Sequence, residues 1–382
     1  MKILLALFIL ILYCPIAHSQ QLHTPEKFLG YEPGARFTPH HRMVEYFRYV
    51  DGIMSNVEVR QYGETYEHRP LIYAIITSQE NSRELEKIRT DNLKRTGLIE
   101  GSGGQEKNAI VWLSYNVHGN EASSLEASML TLHSLADPTN AKTQEWLRNT
   151  VVIIDPCVNP DGRDRYANFY NQYLNKPANS YIDAKEHHEP WPGGRGNHYL
   201  FDLNRDWAWG AQLETRHRLK IYHEWMPHVH VDFHEQGYNS PYYFAPAAEP
   251  FHEVITPWQR EFQTTIGKNN AKYFDEKGWL YFTKEIFDLY YPSYGDTYPT
   301  YNGAVGMTYE QGGGGAGGLR IKTKEGDDLT LVDRLQHHHT SGLSTVEITS
   351  ANATRVVDEF EKYFRENLTN PNSPYKAYVV KA

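Results

Sequence analysis

Ala109-Ile110-Val111-Trp112-Leu113-Ser114-Tyr115-Asn116-Val117 runs straight into His118-Gly119-Asn120-Glu121. An apolar run this short, closed by a glycine-bearing polar turn, has the length of a strand buried on both faces. Behind it Leu125 to Leu135 carries apolar residues at helical spacing, with Ser123 and Glu126 placed as a capping box at its start. Val151 to Val158 is a second apolar strand. The order strand, helix, strand implies a parallel pair joined by a crossover, hence an α/β fold. His118 and Glu121 then lie in the loop that leaves a strand's carboxyl end, where open α/β sheets bind their ligands.

Working outward, His40 to Asn56 sets Met43, Tyr46, Phe47, Val50, Ile53 and Met54 at helical spacing. Val57 to Thr77 predicts a hairpin, with Gly63-Glu64-Thr65 in its turn and Leu71 to Ile76 as its apolar strand. Val229-His230-Val231-Asp232-Phe233 is strand-like and ends on His234, and Ala304 to Tyr309 ends on Glu310. Separate strands thus deliver polar residues at their carboxyl ends. Val357 to Glu366 predicts a closing helix, and Tyr375 to Val380 a further strand. No internal repeat or Pro/Ser linker divides the chain. The expected organisation is a surface segment at 20–39, one domain at 40–367 and a tail at 368–382.

Residues 1–19 combine Lys2, the apolar run Ile3 to Tyr13 and a small-residue exit at Ala17-His18-Ser19, which predicts a secretory signal peptide cut after Ser19. Its apolar core is shorter than the roughly 20 residues of a membrane span, so no stable anchor is expected after cleavage. Export to a secreted or periplasmic location follows. Cys14 falls inside the leader, leaving Cys157 as the one mature cysteine and no internal disulfide. The formal charge is −9 and becomes one unit more negative without Lys2. No basic run is present to follow a phosphate backbone, which argues against nucleic acid as a partner.

His118 and Glu121, with two residues between them, and His234, remote in sequence, form a candidate metal triad. Two close ligands plus a distant one, of the His2Glu type, leave a fourth zinc position open, as in catalytic rather than structural sites. The gap lets a turning loop aim an imidazole nitrogen and a carboxylate oxygen at one ion about 2.0 to 2.2 Å away. A bare His-x-x-Glu pair is common in a chain with 19 histidines; on its own it describes a surface loop. Its weight comes from its placement at a strand end.

His118-Gly119-Asn120-Glu121, Asn159-Pro160-Asp161-Gly162, Asp202-Leu203-Asn204-Arg205, the strand-borne His234 and Thr308-Tyr309-Glu310 occur in an order and near a spacing that resembles the zinc carboxypeptidases of peptidase family M14. The resemblance covers roughly His40 to Asn367. It implies one α/β domain with a central mixed, mostly parallel sheet of about eight strands flanked by helices, one catalytic Zn2+, and hydrolysis of the peptide bond next to a free C-terminal carboxylate. Relatives often continue into further β-rich domains, so the tail at 368–382 is a place where one would begin.

The resemblance also distributes roles. Zinc held by His118, Glu121 and His234 would polarise the scissile carbonyl and acidify water. Glu310 would be the general base, close to the metal but not bound to it. Asn204 and Arg205 match the pair that clamps the substrate carboxylate, a bidentate grip that lysine cannot make. Asp202 fits an acceptor that orients a ligating histidine, His118, or a structural cap. The oxyanion arginine follows Asn-Pro-Asp-Gly, where Arg163 and Arg165 both stand, with Arg165 favoured. A substrate-capping tyrosine is expected among Tyr290, Tyr291 and Tyr294, with Tyr291 favoured, and Asp296 near a pocket for a basic terminal residue. Asn120 stands where the family often has arginine.

Other histidine clusters read differently. His223-Glu224 and His228 have the wrong spacing for a zincin helix, which Pro227 breaks. His228, His230, Asp232 and His234 share one face of their strand, His230 or Asp232 as support for the site and His228 as ordinary packing. His337-His338-His339 is expected in an exposed loop with adventitious metal affinity, and Gly312 to Gly318 in a flexible loop beside the site. The favoured function is an exported zinc metallocarboxypeptidase. A zinc amidase of the same fold, acting on N-acyl amino acids or cell-wall peptides, is the alternative. A non-catalytic peptide-binding shell is the third option, disfavoured because it has no need of Glu310.

Overall fold

The computed structural model describes residues 21–369 and Val379. The leader at 1–19 and, Val379 apart, the strand expected at 375–380 lie outside the described residues. Of the ten strands among the described residues, eight are Val57–Glu64 (β1), Pro70–Ile76 (β2), Ala109–Tyr115 (β3), Thr150–Asp155 (β4), Val229–Gln236 (β5), Tyr242–Tyr243 (β6), Tyr281–Phe282 (β7) and Val305–Gly312 (β8), and the other two pair in a small separate sheet. The eight form one sheet in the order β1-β2-β4-β3-β5-β8-β6-β7. The four middle strands are parallel, while β1, β2 and β4 pair antiparallel, as do β8 and β6. This is the mixed, mostly parallel α/β sheet that the strand and helix order predicts.

Every residue of β3 is buried. Val111, Leu113 and Tyr115 enter one core with Leu125, Met129 and Val346, whereas Ile110 and Trp112 enter another with Tyr222 and Trp225. Alternation along the strand therefore feeds two layers of helix. Ser123–Ala136, Pro257–Lys277 and Leu331–Ala351 supply residues to the first, and Leu213–Trp225 to the second. Among the described residues no helix is long and apolar enough to cross a membrane.

Several local expectations change. The β1–β2 connection falls at residues 65–69, so Gly63 belongs to β1, at a register shift. Ser123 and Glu126 form no capping box: the helix cap is Ala122, with no side-chain bond. The buried Glu126 carboxylate instead accepts from Thr38 N, Thr38 Oγ1 and Arg163 Nη2 at 2.6, 2.7 and 2.8 Å. Glu235 supplies the missing anion, its Oε1 accepting from Ser123 N at 2.7 Å, which suits the positive end of a helix dipole. The segment at 20–39 is not simply surface, since Phe37 and Thr38 are fully buried. His337-His338-His339 is no loop but lies within Leu331–Ala351. There His338 Nδ1 meets Tyr242 Oη at 2.9 Å and His339 meets Thr131 and Ser134.

Candidate active site

The ligand loop is shaped by residues that ligate nothing. Asn116 adopts the left-handed conformation (φ 59°), which asparagine tolerates better than other side chains. Its Nδ2 donates to the carbonyls of His118 and Glu121 at 2.9 and 3.0 Å, curling the chain so that both side chains turn to one side. A Cβ on Gly119 would overlap the backbone of Gly162 and Arg163. The Asn159-Pro160-Asp161-Gly162 motif is the other half of that contact. Asn159 Oδ1 caps the Pro160–Tyr173 helix by accepting from Gly162 N at 2.9 Å, with Pro160 in the first turn. Asp161 accepts from Thr65 Oγ1 and Arg69 Nη1, both at 2.7 Å, which ties the helix start to the β1–β2 connection.

β5 brings His234 to this loop. His118 Nδ1 and His234 Nδ1 lie 3.2 Å apart, with Glu121 Oε1 2.8 Å from the first and Oε2 3.1 Å from the second. Each ring is held from behind by a carboxylate at Nε2: Asp202 Oδ1 at 2.9 Å for His118 and Asp232 Oδ2 at 2.7 Å for His234. Those acceptors fix the Nε2–H tautomer and leave both Nδ1 lone pairs facing Glu121. Two ligands about 2.05 Å from a tetrahedral ion stand about 3.3 Å apart, close to what the three side chains show. His118, Glu121 and His234 are all buried, and Asp202 and Asp232 crowd the two imidazoles with further negative charge. Donor set, spacing and charge fit one zinc ion.

Electrostatics of the site follow from burial and from this crowding. Burial opposes ionisation of Glu121, but His118 and His234 hold its carboxyl well below the usual range. Burial likewise opposes charge on Asp202, which His118, then Arg195 and Arg205, pull down. Glu310 moves the other way: burial pushes it well above the usual carboxylate range, reinforced by Glu121 and Asp232 and opposed by His234 and Arg195. Glu310 pairs with His234 in the β5–β8 register, so it stands beside the triad on the next strand without joining it.

The triad opens into a pocket of about 370 Å³. Glu310, Asn204 and Arg205 line it as expected, together with Arg195, Tyr294 and Asp296. Asp202 fills both expected roles, accepting from Asn204 N at 2.9 Å as cap of a short 3-10 turn while it braces His118. Asn204 Oδ1 accepts from Gly295 N at 2.6 Å and its Nδ2 lies 3.2 Å from His234 Nε2. Arg205 stacks over the Tyr294 ring at 4.4 Å. Asp296 accepts from Thr308 Oγ1 at 2.8 Å and from Thr297 Oγ1 at 2.9 Å, and burial pushes its carboxyl up to about 6 against those bonds.

Arg165 is placed elsewhere. Its guanidinium is taken up by the carbonyls of Gly193, Gly196 and Asn197, at 2.9 to 3.4 Å, and Arg163 is buried against Glu126. The arginine that reaches the triad is Arg195, which donates to Glu121 Oε1 at 3.0 Å and to Asp202 Oδ2 at 3.0 Å. No periodic pattern marks residues 189–201, and only their nearness to Asp202 signals this one. Tyr291 also stands outside the pocket, its hydroxyl accepting from Trp209 Nε1 at 3.0 Å, and Tyr294 takes the position at its wall. Asn120 donates to Glu189 Oε2 at 2.9 Å and so helps to close the loop. Residues Gly313 to Gly318 wrap Arg334, whose Nη1 donates to Glu235 at 2.9 Å and whose Nη2 meets Gly318 O. His228 accepts from Ile110 N at 2.8 Å, a packing role.

The family model described as zinc carboxypeptidase matches residues 43–268. No curated protein matches the chain. Among solved structures, a metallo-carboxypeptidase from Burkholderia cenocepacia is 16% identical with a TM-score of 0.54, over 85% of this chain and 71% of that one. Carboxypeptidase A from Helicoverpa armigera is 14% identical with a TM-score of 0.55, over 90% and 77%. Bovine thrombin-activatable fibrinolysis inhibitor, in complex with tick carboxypeptidase inhibitor, is 14% identical with a TM-score of 0.54, over 85% and 99%. At such identities the likeness is one of fold.

Proposed function

Because the chain belongs to the zinc carboxypeptidase family, we propose that it is an exported metallocarboxypeptidase that removes C-terminal residues from peptides. The observation that carries this is one pocket holding the His118–Glu121–His234 triad, an unligated buried carboxylate and two arginines. A zinc ion there supplies Lewis acidity toward the scissile carbonyl oxygen and acidifies water. Everything else falls to the chain. Arg205, with Asn204 beside it, grips the substrate's terminal carboxylate through its guanidinium, and Tyr294 backs that guanidinium with its ring. Arg195, now bonded to Glu121 and Asp202, turns to the carbonyl oxygen as negative charge develops on it.

Glu310 takes the proton of the attacking water and returns it to the leaving amine. Its burial next to Glu121 and Asp232 favours the protonated form, which suits the second of those steps. Asp202 and Asp232 keep His118 and His234 in one tautomer and one orientation throughout. The leader read at 1–19 makes this an exported enzyme whose mature chain starts at Gln20. The test is mass spectrometry of a mixed peptide library incubated with zinc-loaded protein and with a chelated control. Stepwise loss of C-terminal residues in the first arm alone is expected. A library left intact while an N-acyl amino acid or a muropeptide is cleaved would move the assignment to an amidase.

A further inference from the structure

Arg195 reaches the triad from a stretch that has no secondary structure of its own. Neither helix nor strand runs through residues 188–202, and Gly193, Gly194 and Gly196 stand around Arg195. Glycine-rich backbone loses more conformational freedom on ordering than any other, so such a loop keeps one shape only where other groups hold it. Its carbonyls also need donors that no helix or strand ladder supplies.

Those donors come from the Pro160–Tyr173 helix and its cap. Arg165 Nη1 donates to Gly193 O at 2.9 Å and to Gly196 O at 3.4 Å, and its Nη2 donates to Asn197 O at 3.2 Å. Asn159 Nδ2 donates to Arg195 O at 3.1 Å. A Cβ on Gly162 would lie 2.3 Å from Gly194 O and 2.6 Å from Gly196 O, so helix start and loop meet backbone to backbone. From the other side Glu189 Oε1 accepts from Gly194 N at 2.5 Å while its Oε2 accepts from Asn120 Nδ2 at 2.9 Å, which joins the loop to the ligand loop.

Arg165 thus commits a planar, charged fork to neutral carbonyls on both sides of one residue. It lines no part of the pocket. The side chain of Arg195 is long and 48% exposed, yet it makes three bonds at the site, from Nη1 to Glu121 Oε1 and from Nε and Nη2 to Asp202 Oδ2, at 3.0 to 3.2 Å. A shift of about 1 Å in its backbone would carry those bonds beyond hydrogen-bond length.

We propose that Arg165 is a positioning residue for Arg195: its grip on the carbonyls of Gly193, Gly196 and Asn197 fixes the loop that points Arg195 at the triad. This role rests on the reading of Arg195 as the group that meets developing charge on the substrate's carbonyl oxygen.

The test is a double-mutant cycle in kcat, run with free-C-terminus peptides on zinc-loaded variants shown to be folded by circular dichroism. Arg165→Gln should lower kcat by about 10- to 10²-fold with little change in KM or in zinc affinity. Arg165→Lys, which keeps the charge but not the rigid fork, should fall between that variant and the parent. In an Arg195→Ala background, itself slower by about 10²- to 10³-fold, neither substitution should lower kcat further. Undiminished kcat in Arg165→Gln, a change confined to KM, or an equal loss with and without Arg195 would overturn the proposal, because a merely structural arginine acts alike in both backgrounds. Should Arg165→Gln not fold, Arg165→Lys decides alone: a loss that disappears in Arg195→Ala supports the role, and no loss or the same loss in both overturns it. If Arg195→Ala is slow and Arg165→Gln is not, only the positioning role is lost. If Arg195→Ala keeps the parent's kcat, or the zinc-loaded parent cleaves no peptide, the proposed function of the site fails first and the role of Arg165 falls with it.

Discussion

At the scale of single residues, the proposed function divides the pocket into groups that would hold a metal and groups that would handle protons and charge. Glu310 is the clearest case, buried beside the triad yet making no contact with its ligand atoms. Glu310→Gln keeps size and shape but removes the proton acceptor. Zinc content by atomic absorption should stay near one per chain while kcat falls by at least about 10²- to 10⁴-fold; full turnover would take Glu310 out of the mechanism. On the proposed mechanism the two arginines should separate kinetically. Arg205→Ala removes a contact made equally in ground and transition states, so it should raise KM more than it lowers kcat. Arg195→Ala removes a donor whose partner charge develops during reaction, so kcat should fall by about 10²- to 10³-fold with a smaller change in KM. The opposite pattern would exchange their roles. Residue identity was legible where a motif marks it, as for His118, Glu121, Asp202, Asn204, Arg205, His234 and Glu310. It was not for Arg195 and Tyr294, because loop geometry, not order along the chain, decides which arginine or tyrosine faces inward. Arg165 lies near its motif and is bound up by three carbonyls.

At the scale of elements, the parallel strands set their polar residues in rows, and each row has its own electrostatics. Asp155 ends β4 in the row below the ligands, where burial raises its carboxyl to about 7, opposed by Arg218 and Tyr62 and reinforced by Asp232. The folded pKa therefore lies above the unfolded value, close to 3.8. The folded state binds the extra proton, so the stability linked to Asp155 is fully present below about pH 3.8 and is lost as pH rises toward 7. Other carboxylates, Asp202 among them, have lowered values and the reverse slope, so the comparison must be a difference between two proteins. Asp155→Asn should gain on the parent as pH rises from 4 to 7, by at most roughly 4 kcal/mol, in urea unfolding followed across that range. A difference that stays flat with pH would show that Asp155 is ionised throughout. The existence of these strands was plain from runs such as Ala109 to Val117. Their caps were not: Ser123 and Glu126 match a capping box by spacing, but the long-range pairs Glu126–Arg163 and Glu235–Ser123 N win because both carboxylates are buried. His337 to His339 read as a loop for a related reason, since a run of polar residues implies solvent exposure unless buried partners take it up, as Gln311, Tyr242, Thr131 and Ser134 do.

At the scale of the whole molecule, the candidate active site is where the two halves of the chain meet, and a metal there should hold them together. The loop with His118 and Glu121 follows β3, while His234 comes from β5, and β3 and β5 are direct neighbours only after the crossover that contains the Asn159 motif and the 189–210 loops has closed. The sequence order predicted that parallel core, but not the short edge pair β6 and β7, whose two-residue strands carry too little periodicity to read. An ion bound by ligands from both neighbours binds the folded chain and not the unfolded one, so it must raise stability by mass action. At free zinc 100-fold above its dissociation constant the gain is about 2.7 kcal/mol. Chelation should therefore lower the Tm by several degrees, and added zinc should restore it. The negative charge around the triad sharpens the expectation: Glu121, Asp202 and Asp232 crowd two imidazoles, and a divalent cation would relieve their repulsion. His118→Ala should abolish the chelator response, because both the ligand and the ring that Asp202 braces are gone. A Tm indifferent to chelation in the parent, measured by calorimetry after exhaustive dialysis, would mean that the triad does not close around a metal.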